Sequence, residues 1–284
     1  MKYLIALVLA FSLATSGPTH ASDEQTDRPL RIGLTPTFPH DQYQPLEKWR
    51  LYMERKLKRR VEFVRRDRYI ETMDLLRLKK LDFAWICDYP YVYFKKQVRL
   101  LAVPVHKGRP YYQSYLIVPA TDTATASFAQ LKGKVFAYTD PYSNTGYLTP
   151  RYQLQQAGED PAHFFRKTFF AWSHRRVLEA VGTGLADGGA VSSHVYDTLS
   201  IGKPELTAAV RVIAKSQEYG FAPFVAQSSV NDDEFREMQK LMLDMQADEE
   251  GRELLRLLNL DGFIAGDAKL FERTERLIRA VGEK

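Results

Sequence analysis

One cysteine, Cys87, is present among 284 residues, so no disulfide can form within the chain and its fold must rest on a packed core. No apolar run reaches the roughly 20 residues that a membrane-spanning helix needs. The apolar run at 3–14 is only as long as a signal-peptide core; Lys2 precedes it, and Thr19-His20-Ala21 offers a small-x-small cleavage site. Residues 1–21 therefore read as a cleaved secretory signal. No cysteine stands at the cleavage point, which excludes a lipid tether and leaves a free periplasmic protein as the expectation. A Gly/Ser linker, a tandem repeat and a low-complexity tract are all missing. So is a strong charge of one sign: the net charge is +5, and +4 once Lys2 is removed. The basic clusters at 55–60 and 65–68 read as a solvated helix face and the strand edge after it. With export, that excludes nucleic acid as a partner, although a mild positive field favours anionic solutes.

What is there is alternation. Apolar runs at 30–34, 61–64 and 81–85 read as strands. Between them Leu46, Trp49, Met53 and Leu57, then Ile70, Met73 and Leu76, recur at helical spacing. This βαβαβ order predicts an α/β fold with a largely parallel sheet. It restarts later, with strands expected at 134–138, 167–171, 188–191, 210–214 and 221–226. Helices are expected at 146–156 and 175–181, and the C-terminal part reads as helical at 232–245, 249–258 and 268–281. About 263 residues remain after residue 21, enough for two lobes. With no linker between them, the lobes must exchange strands. The expected division is 22–118 plus 227–284 for one lobe and 119–226 for the other, with crossings near 116–120 and 225–227.

The segment Asp140-Pro141-Tyr142-Ser143-Asn144-Thr145-Gly146-Tyr147-Leu148-Thr149-Pro150 follows one predicted strand and opens a predicted helix. Ser143, Asn144 and Thr145 stand at capping positions. Unpaired N–H groups and the positive end of the helix dipole, with two hydroxyls and Gly146, make a cradle suited to a phosphate-like anion. Capping without any ligand is the alternative reading of the same residues.

That segment carries a resemblance. The chain resembles the phosphate/phosphite/phosphonate-binding proteins of ABC transporters, the PhnD-like group, whose Asp-Pro-x-Ser-x-[Ser/Thr]-Gly-[Tyr/Phe]-Leu-x-Pro pattern 140–150 matches. The stretches 81–85 and 112–118, Ser173-His174, and Ala186-Asp187 with the Gly-Ala-Val that follows match as well, so the resemblance spans nearly the whole chain after residue 21. It implies a type II periplasmic-binding-protein fold: two α/β lobes, a hinge of two crossover strands and a ligand cleft between them. It further implies that Ser143, Asn144, Thr145 and nearby backbone N–H groups, including that of Gly146, hold the anion. His174 then adds a contact from the same lobe, and Tyr69 and Tyr112 close from the other. Asn144 replaces a hydroxyl residue common at its position, so a changed contact is expected there.

Members of the group that bind aminophosphonates place two carboxylates about the ammonium. Counting from Asp187 and back from Pro223, those positions are His194 and Ala222 here. A buried ammonium without a counter-charge is costly. Aminoethylphosphonate is therefore not the expected ligand; phosphate, phosphite, methylphosphonate or an organic phosphate ester fits better, with His194 available to the substituent. The partners implied are a small phosphorus anion and an inner-membrane ABC permease, with the binding protein a monomer.

Other readings have weaker support. A sensor that reports an anion to a membrane receptor or kinase would use the same fold. Ser143, His174 and Asp187 offer the residue types of a hydrolase triad, yet no Gly-x-Ser-x-Gly elbow is present. No enzymatic activity is expected. His40, Asp41 and His106 match no metal-site spacing, and no metal or cofactor is expected. Asp82 is expected to organise its lobe. Tyr89, Tyr91 and Tyr93 alternate as in a strand or extended loop.

Overall fold

The computed structural model describes residues 28–36 and 43–281. The expected signal at 1–21, and His40 and Asp41, lie outside the described residues. In chain order the first elements are β1 (Leu30–Leu34), α1 (Tyr43–Leu57), β2 (Val61–Arg65), α2 (Tyr69–Arg77), β3 (Phe83–Trp85), α3 (Asp88–Phe94), β4 (Val98–Val105) and β5 (Tyr111–Tyr112). They are followed by β6 (Ser114–Pro119), β7 (Val135–Tyr138), a π-helical turn at Asn144–Leu148, α4 (Thr149–Gln156), β8 (Lys167–Phe170) and α5 (His174–Gly182). Then come β9 (Gly188–Ser192), α6 (Ser193–Gly202), α7 (Pro204–Ala208), β10 (Val210–Lys215), β11 (Tyr219–Gly220) and β12 (Phe224–Gln227). The last are α8 (Asp232–Asp244), α9 (Glu249–Leu257), β13 (Gly262–Ala265) and α10 (Glu272–Val281).

Two sheets result. The six-stranded sheet runs β13-β4-β12-β3-β1-β2 and the five-stranded sheet β10-β6-β9-β7-β8. Strands β1, β2 and β3 pair in parallel, as βαβ crossovers require, while β12, β4 and β13 join antiparallel. The first sheet buries Trp49, Trp85, Phe83 and Phe224 in one aromatic core. The second is covered on both faces: Val177, Leu178 and Val181 of α5 pack on one side, and Phe136, Phe164 and Phe165 on the other.

The chain passes between the sheets at β5 and β11, which pair with each other antiparallel, Tyr219 opposite Tyr112. These are the two crossover strands. They lie earlier than the expected crossings at 116–120 and 225–227. Ser114–Pro119 is already bonded to β9 and β10, and Phe224–Gln227 is already bonded to β3 and β4. Continuous apolar runs conceal such a boundary, because the strand is equally buried in either sheet. Of the expected strand at 221–226 only the part from Phe224 pairs, as β12; β11 already ends at Gly220, and Pro223, which has no N–H for a ladder, stands between them.

The segment 88–94 is a helix, not a strand or extended loop. Asp88 opens it and Pro90 sits in the first turn, where a missing N–H does no harm. Tyr89 and Tyr91 are buried on it and Tyr93 is exposed. Asp82 does organise its lobe: it pairs with Arg28 at 2.7 Å and accepts the Arg31 N–H at 2.8 Å. The basic end of α1 and the residues just after it are tied to Glu234 of α8 and to Asp248, the cap of α9, through Arg59–Glu234 and Lys56–Asp248. Among the described residues no helix is long and apolar enough to cross a membrane.

Candidate functional site

His174 and Tyr69 come together from the two lobes, beside the turn that carries Ser143, Asn144 and Thr145. After β7 the chain turns through Thr139 and Asp140 into the π-helical turn. Ser143 Oγ accepts the Gly146 N–H at 3.0 Å, the expected cap. The Leu148 N–H reaches back five residues to the Ser143 carbonyl, so the turn is wider than an α-helical start. Gly146 is required by packing: a Cβ there would lie 2.1 Å from Thr139 Oγ1. Thr145 is fully buried, and its hydroxyl oxygen has no hydrogen-bond partner within the protein. A buried hydroxyl in that state needs an explanation, and a ligand oxygen supplies one.

His174 is the first residue of α5, capped by Ser173, and is buried. The Ser192 N–H donates to its Nδ1 at 3.1 Å, so the ring's proton sits on Nε2. Thr139 Oγ1 is also 3.1 Å from Nδ1, which links the ring to the turn. Nε2 faces the Tyr69 hydroxyl at 3.4 Å. Burial pushes the His174 pKa down to about 3, so it is a neutral donor. Tyr69 opens α2 in the other lobe, and its backbone N–H donates to Asp140 at 3.2 Å.

Asn144 crosses the cleft in a different way from that expected. Its Nδ2 donates to Asp88 at 2.6 Å, and its Oδ1 accepts from Thr149 at 2.9 Å. Asp88 is fully buried at the start of α3. It also accepts from Thr274 at 2.6 Å, from the Cys87 thiol at 3.1 Å and from the Tyr112 hydroxyl. Burial pushes the Asp88 pKa up, and these four donors oppose that rise. Asp88 was not foreseen. Its signal was there, since an acid just ahead of a proline marks a helix start; the alternating tyrosines suggested a strand instead. Around it, Tyr142, just before the capped turn, packs on Tyr89 of α3 with ring centroids 5.8 Å apart, and Leu148 joins the core of the six-stranded lobe.

His194 and Ala222, the two positions reached by counting, line one enclosed cavity of about 10 Å³ with Trp85, Tyr112, His174 and Phe221. That volume suits a single water-sized group. His194 Nε2 donates to the Leu258 carbonyl at 3.1 Å. Burial, with His106 nearby, lowers its pKa to about 4.

Ser143, His174 and Asp187 do not form a triad. His174 is bonded to Thr139, Ser192 and Tyr69, whereas Asp187 accepts the Val135 N–H at 2.8 Å. His106 is engaged with Asn259 and Asp197. Among the described residues no group of three His, Cys, Asp or Glu is placed to hold a metal.

Comparison with known proteins gives a consistent picture. The family described as "ABC transporter, phosphonate, periplasmic substrate-binding protein" matches residues 32–271. A Prochlorococcus marinus protein named as a probable ABC transporter phosphite binding protein is 23% identical over 301 positions, covering 100% of this chain and 98% of its own. The crystal structure of a binding protein component of an ABC phosphonate transporter from Pseudomonas aeruginosa superposes with a TM-score of 0.84 at 23% identity, over 90% of this chain and 87% of that one. PhnD1 of Prochlorococcus marinus in complex with methylphosphonate gives 0.81 at 21% identity, over 90% and 98%. These structural likenesses establish the two-lobed fold. The family match covers most of the sequence, and the chain belongs to the phosphonate periplasmic substrate-binding proteins of ABC transporters.

Proposed function

We propose that this protein captures a small phosphorus oxyanion between its lobes and presents the closed form to an inner-membrane ABC permease. The observation that carries the reading is the buried, unpartnered Thr145 hydroxyl in the capped turn. It stands with a neutral His174 whose Nε2 carries the proton and with Tyr69 from the opposite lobe. All three supply hydrogen, which an oxyanion needs, and none brings a formal charge. Ser143 and the N–H groups of the turn add further donors, and Gly146 lets the turn approach Thr139. Asn144 serves as a strut between the lobes through Asp88. Tyr112 acts from the hinge strand, and His194 from the wall of the small cavity beside it.

Binding is the whole task in this reading. Ligand contacts from both lobes favour the closed form, and the hinge at β5 and β11 absorbs the rotation. The aminoethyl group is disfavoured, because the cavity is small and His194 and Ala222 bring no negative charge to it. Residues 1–21 direct export and are removed, leaving an untethered periplasmic monomer.

The test is ligand-induced thermal stabilisation of the mature protein, stripped of bound anion, against phosphate, phosphite, methylphosphonate, aminoethylphosphonate and sulfate. A ligand at 100 times its Kd adds about 2.7 kcal/mol, an easily seen shift. Stabilisation by a phosphorus anion that weakens in Thr145→Ala and His174→Ala is the expected result. No shift with any phosphorus anion would overturn the reading.

A further inference from the structure

Two groups on the wall of the small cavity have their protons committed elsewhere. The Tyr112 hydroxyl donates to Asp88, and His194 Nε2 donates to the Leu258 carbonyl at 3.1 Å. A carboxylate and a carbonyl accept, so both directions are fixed. What Tyr112 Oη and His194 Nδ1 retain are lone pairs. On the side of Tyr112 and His194 the other polar hydrogens are spent in the same way: the Cys87 thiol donates to Asp88 and the Trp85 indole donates to the Ala222 carbonyl at 2.8 Å, while the hydroxyl of Ser192, whose N–H holds His174, belongs with the donors. His174 has the opposite polarity, with Nδ1 accepting from Ser192 and the proton on Nε2. The site therefore donates hydrogen from the side of Thr145, His174 and Tyr69 and accepts it on the side of Tyr112 and His194.

A fully deprotonated tetrahedral anion offers lone pairs at every oxygen. An oxygen placed against Tyr112 and His194 would then set lone pair against lone pair, with no water able to intervene in about 10 Å³. An O–H at that vertex removes the conflict and makes a hydrogen bond.

We propose that the site selects its ligand in a protonated form, with an O–H directed at Tyr112 and His194: monohydrogen phosphate or a monoprotonated phosphonate, in preference to sulfate and dianionic phosphite. This rests on the reading that a phosphorus oxyanion binds here. Tyr112 and His194 determine specificity, and Asp88 is a positioning residue that holds the Tyr112 proton away from the cavity.

Calorimetric titration of the mature protein in alkaline buffer tests it, because phosphate then keeps one O–H while phosphite and sulfate have none. Phosphate is expected to bind at least about 10-fold more tightly than either, the scale of one unsatisfied buried group. Methylphosphonate should lose affinity as pH rises through the loss of its last proton. His194→Phe should weaken phosphate about 10-fold and change phosphite by less than about 3-fold. Asp88→Asn, whose amide can donate to Tyr112, frees the phenol proton and should narrow the gap between phosphate and phosphite. Phosphite or sulfate equal to phosphate in the unaltered protein, which needs no variant to fold, would overturn the proposal while leaving anion binding intact. Failure of every phosphorus anion to bind would overturn both.

Discussion

Asn144 Nδ2 donates to the Asp88 carboxylate at 2.6 Å, joining the capped turn of one lobe to the first residue of a helix in the other. The same carboxylate also accepts from the Tyr112 hydroxyl of the hinge strand and from Thr274 of α10, so turn, hinge and C-terminal helix share a single buried acceptor.

Asp88→Ala should therefore do more than remove one contact. It strands the donors of Asn144, Thr274 and Tyr112 in a buried space, and unpaired buried groups cost about 1–3 kcal/mol each before any relaxation. A net loss of about 2–4 kcal/mol is expected in urea unfolding. Small-angle scattering should show a larger radius for the unliganded variant than for the unaltered protein. A variant as stable and as compact as the parent would mean that the carboxylate does not hold the lobes.

Gly146→Ala tests the packing of the anion turn. The new Cβ would approach Thr139 Oγ1 to 2.1 Å and Thr139 Cβ to 2.4 Å, and Thr139 cannot yield without leaving His174. Overpacking of this kind costs about 1–3 kcal/mol. Anion affinity should fall more than that of a control such as Gly202→Ala, where a Cβ meets nothing within 4 Å. Equal effects at the two positions would show that the turn adapts freely.

The sequence made the alternation legible, and with it the fold class, because strand and helix periods are local properties. It also marked the capped turn after β7, since the capping residues and Gly146 are contiguous. What remained hidden was set by pairing at a distance. The hinge is two short strands whose partners are over 100 residues away, and nothing near Tyr112 or Tyr219 reveals that they face each other. Asp88 was hidden because its four donors come from Cys87, Tyr112, Asn144 and Thr274, and burial of a carboxylate is visible only once those are assembled. His194, reached by counting, lines a small cavity, but the polarity of its ring depends on the Leu258 carbonyl, which only the fold supplies.

The buried histidines predict how stability varies with pH. His174 and His194 are held neutral in the folded chain, with pKa values lowered to about 3 and about 4 mainly by burial. In the unfolded chain both titrate near 6.5. A group depressed on folding contributes stability that is complete above the unfolded pKa and is lost as pH falls toward the folded one. Between about pH 6 and pH 4 each histidine should remove about 1.4 kcal/mol per pH unit. Asp88, whose pKa is raised, acts in the opposite sense, but only above the ordinary carboxylate range. Urea midpoints measured across this interval should fall steeply, and His194→Asn should remove about half of the slope. A flat profile would mean that the rings are solvated and charged in the native state.

Asp197 makes a second contact between the lobes, and its removal tests whether such contacts favour the closed form. Asp197 of α6 accepts from His106 at 3.2 Å and from Lys107 at 2.5 Å, both just after β4 in the opposite lobe. Burial would raise the Asp197 pKa, but these two donors outweigh it and hold the group below the usual carboxylate value. Lys107 is well exposed, so salt screens its share, and the bond from His106 is the more durable part. Asp197→Asn should cost the closed form about 1 kcal/mol. If the unliganded protein is mainly open, that weakens anion affinity by about 5-fold, because closure is part of the binding equilibrium. The loss should appear as faster dissociation in stopped-flow measurements, with the association rate nearly unchanged, as the proposed order of capture at Thr145 followed by lobe closure requires. An unchanged dissociation rate would show that Asp197 is a surface pair without influence on closure.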